Sequence, residues 1–296
     1  MDLEELLASW GVSLRAEHLS APYIRLCEGT VRHYLRSGYR TLTKKNAEIW
    51  ISAITVHGTA NVRARCLKRF SRWLFEEGET RTDILAGFKA PAPGDGKLIP
   101  KLDQADVRSL LKSCDGRGFR AIRDAALIMF GLETGARASE VLNLKVTDVD
   151  MSRMIAVIIN GKGGRSRIVP FSPLTAKYLD RYLRARRKHP KSSSEWLWLG
   201  GGPIEDGEGR KLTDHLTYGG MAASLRRRAI AAGVPDFHYH RLRHSMASNW
   251  LAAGGSEGGL MAVAGWRNRA MIDRYARDTA AERAITEARE LKLGVL

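Results

Sequence analysis

Apolar positions recur at helical spacing along most of the chain, and the period shortens in only one region. In ANVRARCLKRFSRWLFEEG, Val62, Cys66, Phe70 and Trp73 fall on one helical face, with Gly78 placed to end the helix. The whole of segment 1–88 reads as helical in the same way. Further on, Asp103 and Asp106 open QADVRSLLKSC as a helix start, and GFRAIRDAALIMFGLETG predicts a longer apolar helix stopped at Gly135. The period then shortens: MIAVIIN (154–160) and RIVPF (167–171) are β-branched runs joined by GKGGRS, which predicts a hairpin with a basic tip. Helical spacing returns in LTAKYLDRYLRARRK, LTYGGMAASLRRRAIAAG, HRLRHSMASNWLAAG and around Tyr275, while GGGPIEDGEGRK (200–211) reads as a mobile surface loop. A breaker-rich stretch, KAPAPGDGKLIPK (89–101), carries Pro91, Pro93 and Pro100 and reads as an extended linker between segments 1–88 and 102–296. The expected fold is mainly α with a small β-sheet (α+β), in two domains.

Composition adds constraints. A chain of 296 residues, 44% hydrophobic and 27% charged, has enough material for two cores and matches a soluble globular protein. It contains no apolar run of about 18 residues, and MDLEELLASWG is acidic and unlike a signal peptide, so a cytoplasmic location and no membrane partner are expected. Cys27, Cys66 and Cys114 lie far apart without a CxxC pair, which predicts reduced, buried thiols rather than a zinc ribbon or disulfide framework. Charge changes the picture more: 48 Lys and Arg against 32 Asp and Glu leave +16. Such an excess favours a polyanionic partner, because each neutralised phosphate releases a counterion. A basic surface that binds nothing stays open on composition alone. Arg65, Lys68, Arg69 and Arg72 form a second stripe on the helix of Val62 and Phe70, without an interleaved acid. We expect phosphate contact there, against the usual fate of such stripes as solvated faces.

Four short segments hold side chains suited to phosphate. In TGARASEVLNL, Arg137 follows a glycine turn at the start of a helix bearing Glu140, where a guanidinium meets an anion at a helix N-terminus; the same spacing also makes a surface ion pair. GKGGRSR places Lys162 in the hairpin turn and is only superficially like a P-loop, since Ala156 stands where a glycine is required. HYHRLRHSMAS puts His240, Arg243 and His244 on one side of a helix; a zinc reading fails for want of the glutamate of HExxH and of other clustered ligands. GWRNRAMIDRYARD carries Trp266 and Tyr275, and a lone tyrosine after Met271 and Ile272 is equally a core aromatic.

Taken in order, Arg137 and Glu140 in TGxRxSE, Lys162 in GKGxR, His240 and Arg243 in HxLRH, then Trp266 nine positions before Tyr275, the chain resembles the tyrosine recombinases, the phage integrase family. The resemblance extends to segment 1–88, which is similar to that family's helical, SAM-like core-binding domain; 102–296 then corresponds to its catalytic domain. It implies site-specific recombination, in which DNA strands are cut and rejoined through a 3′-phosphotyrosine without metal or cofactor.

Residue chemistry agrees with the roles that the resemblance implies. Arg137 and Arg243 supply permanent bidentate charge for the non-bridging oxygens of the transition state. A phenol, with a reference pKa of about 10, needs help to attack, so His240 is expected to take the proton of Tyr275. Lys162 is expected to protonate the departing 5′ oxygen, and Glu140 to orient the neighbouring Arg and His groups. Trp266 stands where the family more commonly has His; an indole donates one hydrogen bond and transfers no proton, so a phosphate hydrogen bond and packing are expected of it.

After Tyr275, Ala281, Ala284, Ile285 and Ala288 form an apolar stripe. It suits packing on its own domain, while the resemblance implies docking into a neighbouring protomer, hence a homotetramer on synapsed double-stranded DNA, with accessory DNA-bending or directionality factors as further partners. Too few residues precede the expected core-binding helices for a separate arm-binding domain, so recombination at simple core sites is expected. Rival readings are a chromosome or plasmid dimer resolvase, a relaxing topoisomerase, or a DNA-binding protein with a silent site.

Overall fold

The computed structural model describes residues 2–92, 94, 100–159, 166–201, 214–272 and 288. The chain separates into two compact units, Met1–Leu98 and Ile99–Leu296. In the first, α1 (Leu3–Ala16), α2 (Ala21–Arg36), α3 (Lys44–Ser52) and α4 (His57–Glu76) enclose one apolar core. Two of the helices start at side-chain caps: Asp2 accepts the Glu4 N–H at 2.8 Å and Thr43 accepts that of Asn46 at 3.1 Å. The residues expected to precede the core-binding helices are themselves α1, whose Leu3, Leu7, Trp10 and Leu14 lie in this core. Trp10 packs on Phe70, with ring centroids 4.8 Å apart.

Helix α4 buries three of the four positions its spacing predicts, Cys66, Phe70 and Trp73, while Val62 is 38% exposed; Ala60, Ala64, Leu67 and Leu74 complete the buried face. Gly78, at φ +75°, follows the helix end as expected. All three cysteines are free and buried, and Cys27 on α2 lies 3.6 Å from Cys66 on α4, sulfur to sulfur.

The second unit is built around α6 (Phe119–Thr134), which packs against α8 (Pro173–Arg187) and α10 (His240–Ala252). Helix α5 (Gln104–Lys112), capped by Asp103, lies on α9 (Tyr218–Ala232). Helix α7 (Ala138–Leu142) follows α6 after a sharp turn, and α11 (Glu257–Ala264) packs against α10 and the sheet. The sheet is antiparallel in the order β1 (Val149–Asp150), β2 (Ile155–Ile158), β3 (Arg167–Pro170), with Ala156 opposite Val169 and Ile158 opposite Arg167. Ala156, Ile158 and Val169 face the core, as strand alternation requires. The predicted hairpin is present up to its strands; its tip and most of the predicted 200–211 loop lie outside the described residues.

Charge is also buried here, and it is paired. Asp124 accepts hydrogen bonds from Arg123 Nε and Nη2, Ser224 Oγ and Arg228 Nε, at 2.7–3.1 Å. Arg186, near the end of α8, donates to the carbonyls of Ser192, Ser194, Trp196 and Leu197, which holds the following segment onto the helix.

Candidate active site

Helix α6 ends on Gly135, whose φ of +56° is a left-handed conformation that a side chain disfavours. The turn leaves Arg137 as the residue that opens α7, and its side chain remains 43% exposed. One turn into α7, the Glu140 carboxylate accepts the Arg137 backbone N–H at 2.7 Å and Arg137 Nη1 at 2.9 Å. This is half of a capping box; a guanidinium, having no acceptor, cannot complete it. Glu140 is buried and also receives a fork of two hydrogen bonds from Arg167, Nη1 to Oε1 at 3.0 Å and Nη2 to Oε2 at 2.7 Å. Burial alone would raise its carboxyl, but the Arg167 and Arg137 donors outweigh that effect and hold its pKa down to about 2.

Arg243 lies on the inner face of α10 and is 2% exposed. Two main-chain carbonyls orient it: Nη1 donates to Gly135 O at 2.6 Å and Nη2 to Ala264 O at 2.7 Å. The first belongs to the turn that presents Arg137, and the second closes α11. Gly265, at φ +66°, then turns the chain so that the buried ring of Trp266 lies 5.2 Å from the Arg243 guanidinium carbon, a cation–π contact. His240, exposed at the start of α10, meets the buried His244 edge to face at 4.7 Å. The preceding residue, Tyr239, is buried against α6, and burial pushes its hydroxyl pKa well up.

The fold thus brings the turn bearing Arg137 and Glu140 together with Arg243 and Trp266. Lys162 and Tyr275 lie outside the described residues. Sequence reasoning missed Arg167; its one visible signal is a cation at the head of the β-branched run RIVPF. Among the described residues, no group of three or more His, Cys, Asp or Glu is placed to hold a metal.

The stripe on α4, in the other unit, is less uniform than its spacing suggested. Lys68 Nζ donates to Phe88 O at 2.8 Å, Arg69 pairs with Glu17, and Arg72 Nε donates to Glu76 at 2.8 Å. Arg65 and Arg72 are exposed.

Residues 100–282, which contain every one of these second-unit positions, match the model of the phage integrase family. This chain belongs to the phage integrase family. Among its integrase-family relatives, tyrosine recombinase XerA of Thermococcus kodakarensis is 28% identical over 280 residues, 93% of this chain and 91% of that protein. Tyrosine recombinase XerC of Staphylococcus epidermidis is 27% identical over 184 residues, 62% of this chain but only 59% of the relative. In fold, the chain is similar to the Tn1549 transposon integrase in complex with circular intermediate DNA, with TM-score 0.70 and 18% identity over 96% of this chain and 99% of that one. It is also similar to lambda integrase bound to a core site, with TM-score 0.70 and 14% identity over 93% and 95% of the two chains.

Proposed function

We propose that this chain is a site-specific tyrosine recombinase acting as an integrase, which cuts and rejoins double-stranded DNA at short core sites. The observation that carries the proposal is the pair of guanidiniums tied to one turn: Arg137 stands on it half-exposed, and Arg243 is fixed to its carbonyl. A phosphodiester resists an incoming anion, and two permanent cations on its non-bridging oxygens lower that barrier as charge develops. Glu140, kept ionised, holds one of them in register.

In this mechanism Tyr275 attacks the scissile phosphate, His240 takes the phenolic proton, and Lys162 protonates the departing 5′ oxygen. The product is a 3′-phosphotyrosine, which keeps the energy of the broken bond and is resealed by a second 5′ hydroxyl without ATP. The cations occupy the role of a Lewis acid, so the mechanism calls for no metal. Trp266 supports Arg243 and closes that side of the site. We further propose that the chain works as a homotetramer on synapsed DNA in the cytoplasm, with the stripe of Ala281, Ala284, Ile285 and Ala288 docking on a neighbouring protomer. Arg65, Lys68, Arg69 and Arg72 serve as phosphate contacts of the first unit; Arg69 and Arg72 do so by exchanging Glu17 and Glu76 for phosphate, and Lys68 with the donors not given to Phe88 O.

The test is a nicked suicide duplex carrying a core site recovered by selection from random sequence. The parent protein should form a covalent adduct at the 3′ phosphate, and Tyr275→Phe should form none while still shifting the duplex. An adduct that persists in Tyr275→Phe would remove that residue as nucleophile. Recombination between two circles carrying the site supports integration, whereas exchange confined to two sites on one circle points to resolution.

A further inference from the structure

Arg167 stands at the head of β3 beside a basic stretch of sequence, a context that suggests phosphate contact. The structure gives it a different task. Its side chain is only 9% exposed, and its donors are turned to protein: Nη1 and Nη2 fork onto Glu140, and Nε donates to Val263 O at 2.7 Å. The guanidinium also lies close over Gly265, where an added Cβ would come within 3.0 Å of Nη1. A guanidinium is planar and rigid, so hydrogen bonds in two directions fix the distance between the groups that accept them. Those groups are the carboxylate that holds Arg137 and the last turn of α11, whose next carbonyl, Ala264 O, holds Arg243. Arg167 and Arg243 therefore take adjacent carbonyls at one helix end, where cations are also favoured by the helix dipole.

We propose that Arg167 is a positioning residue that sets the spacing of Arg137 and Arg243, so that both guanidiniums meet one phosphate. The proposal rests on the recombinase reading above. It also implies that lysine cannot substitute, because a point cation on a flexible stem cannot bridge Glu140 and Val263 together.

Full-length Arg167→Lys and Arg167→Gln proteins test it on two suicide duplexes, one natural and one with sulfur replacing the bridging 5′ oxygen of the scissile phosphate. A thiolate leaves without a proton, so the sulfur substrate reports on the phosphate clamp separately from leaving-group protonation. Both variants should bind the duplex like the parent and cleave about 100-fold more slowly, on both substrates, as expected for a displaced reacting group. Parental cleavage by Arg167→Lys overturns the proposal, and so does recovery of the parental rate on the sulfur substrate. Titration of the Glu140 carboxyl by carbon NMR gives a readout independent of cleavage. It should move up from about 2 in Arg167→Gln, where burial is no longer offset by the fork; an unchanged titration also overturns the proposal. Where Arg167→Gln fails to fold, Arg167→Lys carries the cleavage measurement on both substrates. A parent protein that forms no covalent adduct removes the recombinase reading, while the titration still tests the clamp.

Discussion

Trp266 shows how one side chain joins the core to the proposed chemistry. Its ring is buried, yet one face supports the Arg243 guanidinium at 5.2 Å. Trp266→His keeps a flat ring with an N–H donor at the same turn and should retain most cleavage on the suicide duplex. Trp266→Ala removes the support, should lose most of the cleavage, and should cost about 3–5 kcal/mol of stability in denaturant titration, as large-to-small core changes do. Equal activity of the two variants would return Trp266 to a packing role. Glu140 sets the acid limit at the same scale. Its folded pKa, about 2, lies below the ordinary value of 4.5, so its contribution to stability is full above the latter and lost as pH falls from there toward 2.

Between elements, α6 and α10 cross closely at Gly131. An added Cβ at Gly131 would lie 2.6 Å from the Tyr239 hydroxyl and 2.9 Å from Leu242 Cδ1. Gly131→Ala improves intrinsic helix propensity by about 1 kcal/mol, yet the overlap should reverse the sign and separate the helix bearing His240 and Arg243 from its support. A lowered midpoint in denaturant, with slower cleavage, is the expected result; a stabilised, fully active variant would show that the crossing relaxes freely.

The same scale explains what could be read from sequence. Helices α6 and α9 were legible because their apolar spacing ends on Gly135 and Gly233, both left-handed in the structure. Helix α11 was not, because its first turn is glycine-rich and shows no apolar spacing; it forms because Ser256 caps the Gly259 N–H at 3.1 Å and Leu260 and Ala264 bury. Arg137, Glu140 and Arg243 were marked by the order of motifs that resembles the family, since the local spacing of Arg137 and Glu140 alone equally suits a surface ion pair. Arg167 escaped because its meaning depends on Glu140 and Val263, which are distant in sequence. Likewise, α4 carries no acid within its cationic stripe, but the fold brings Glu17, which caps the end of α1, to Arg69.

For the whole molecule, the proposed function and a charge of +16 together predict that ionic strength is the main control on DNA affinity. Binding should weaken linearly on a double-logarithmic plot against salt, by about a thousandfold or more between 50 and 200 mM if six or more phosphates are neutralised. Retardation assays on core and random duplexes check this, and a flat salt response would contradict phosphate-led binding. The arrangement around Arg243 has a consequence of another kind. Both of its described oxygen acceptors are main-chain carbonyls, Gly135 O and Ala264 O, which any residue can supply once the backbone is in place. Substitution at such positions leaves the acceptor behind, provided the turn survives. A lineage built this way can rewrite most of its side chains and keep its arginine aimed, and the shared fold at only 13–20% identity with solved structures is what such drift would leave.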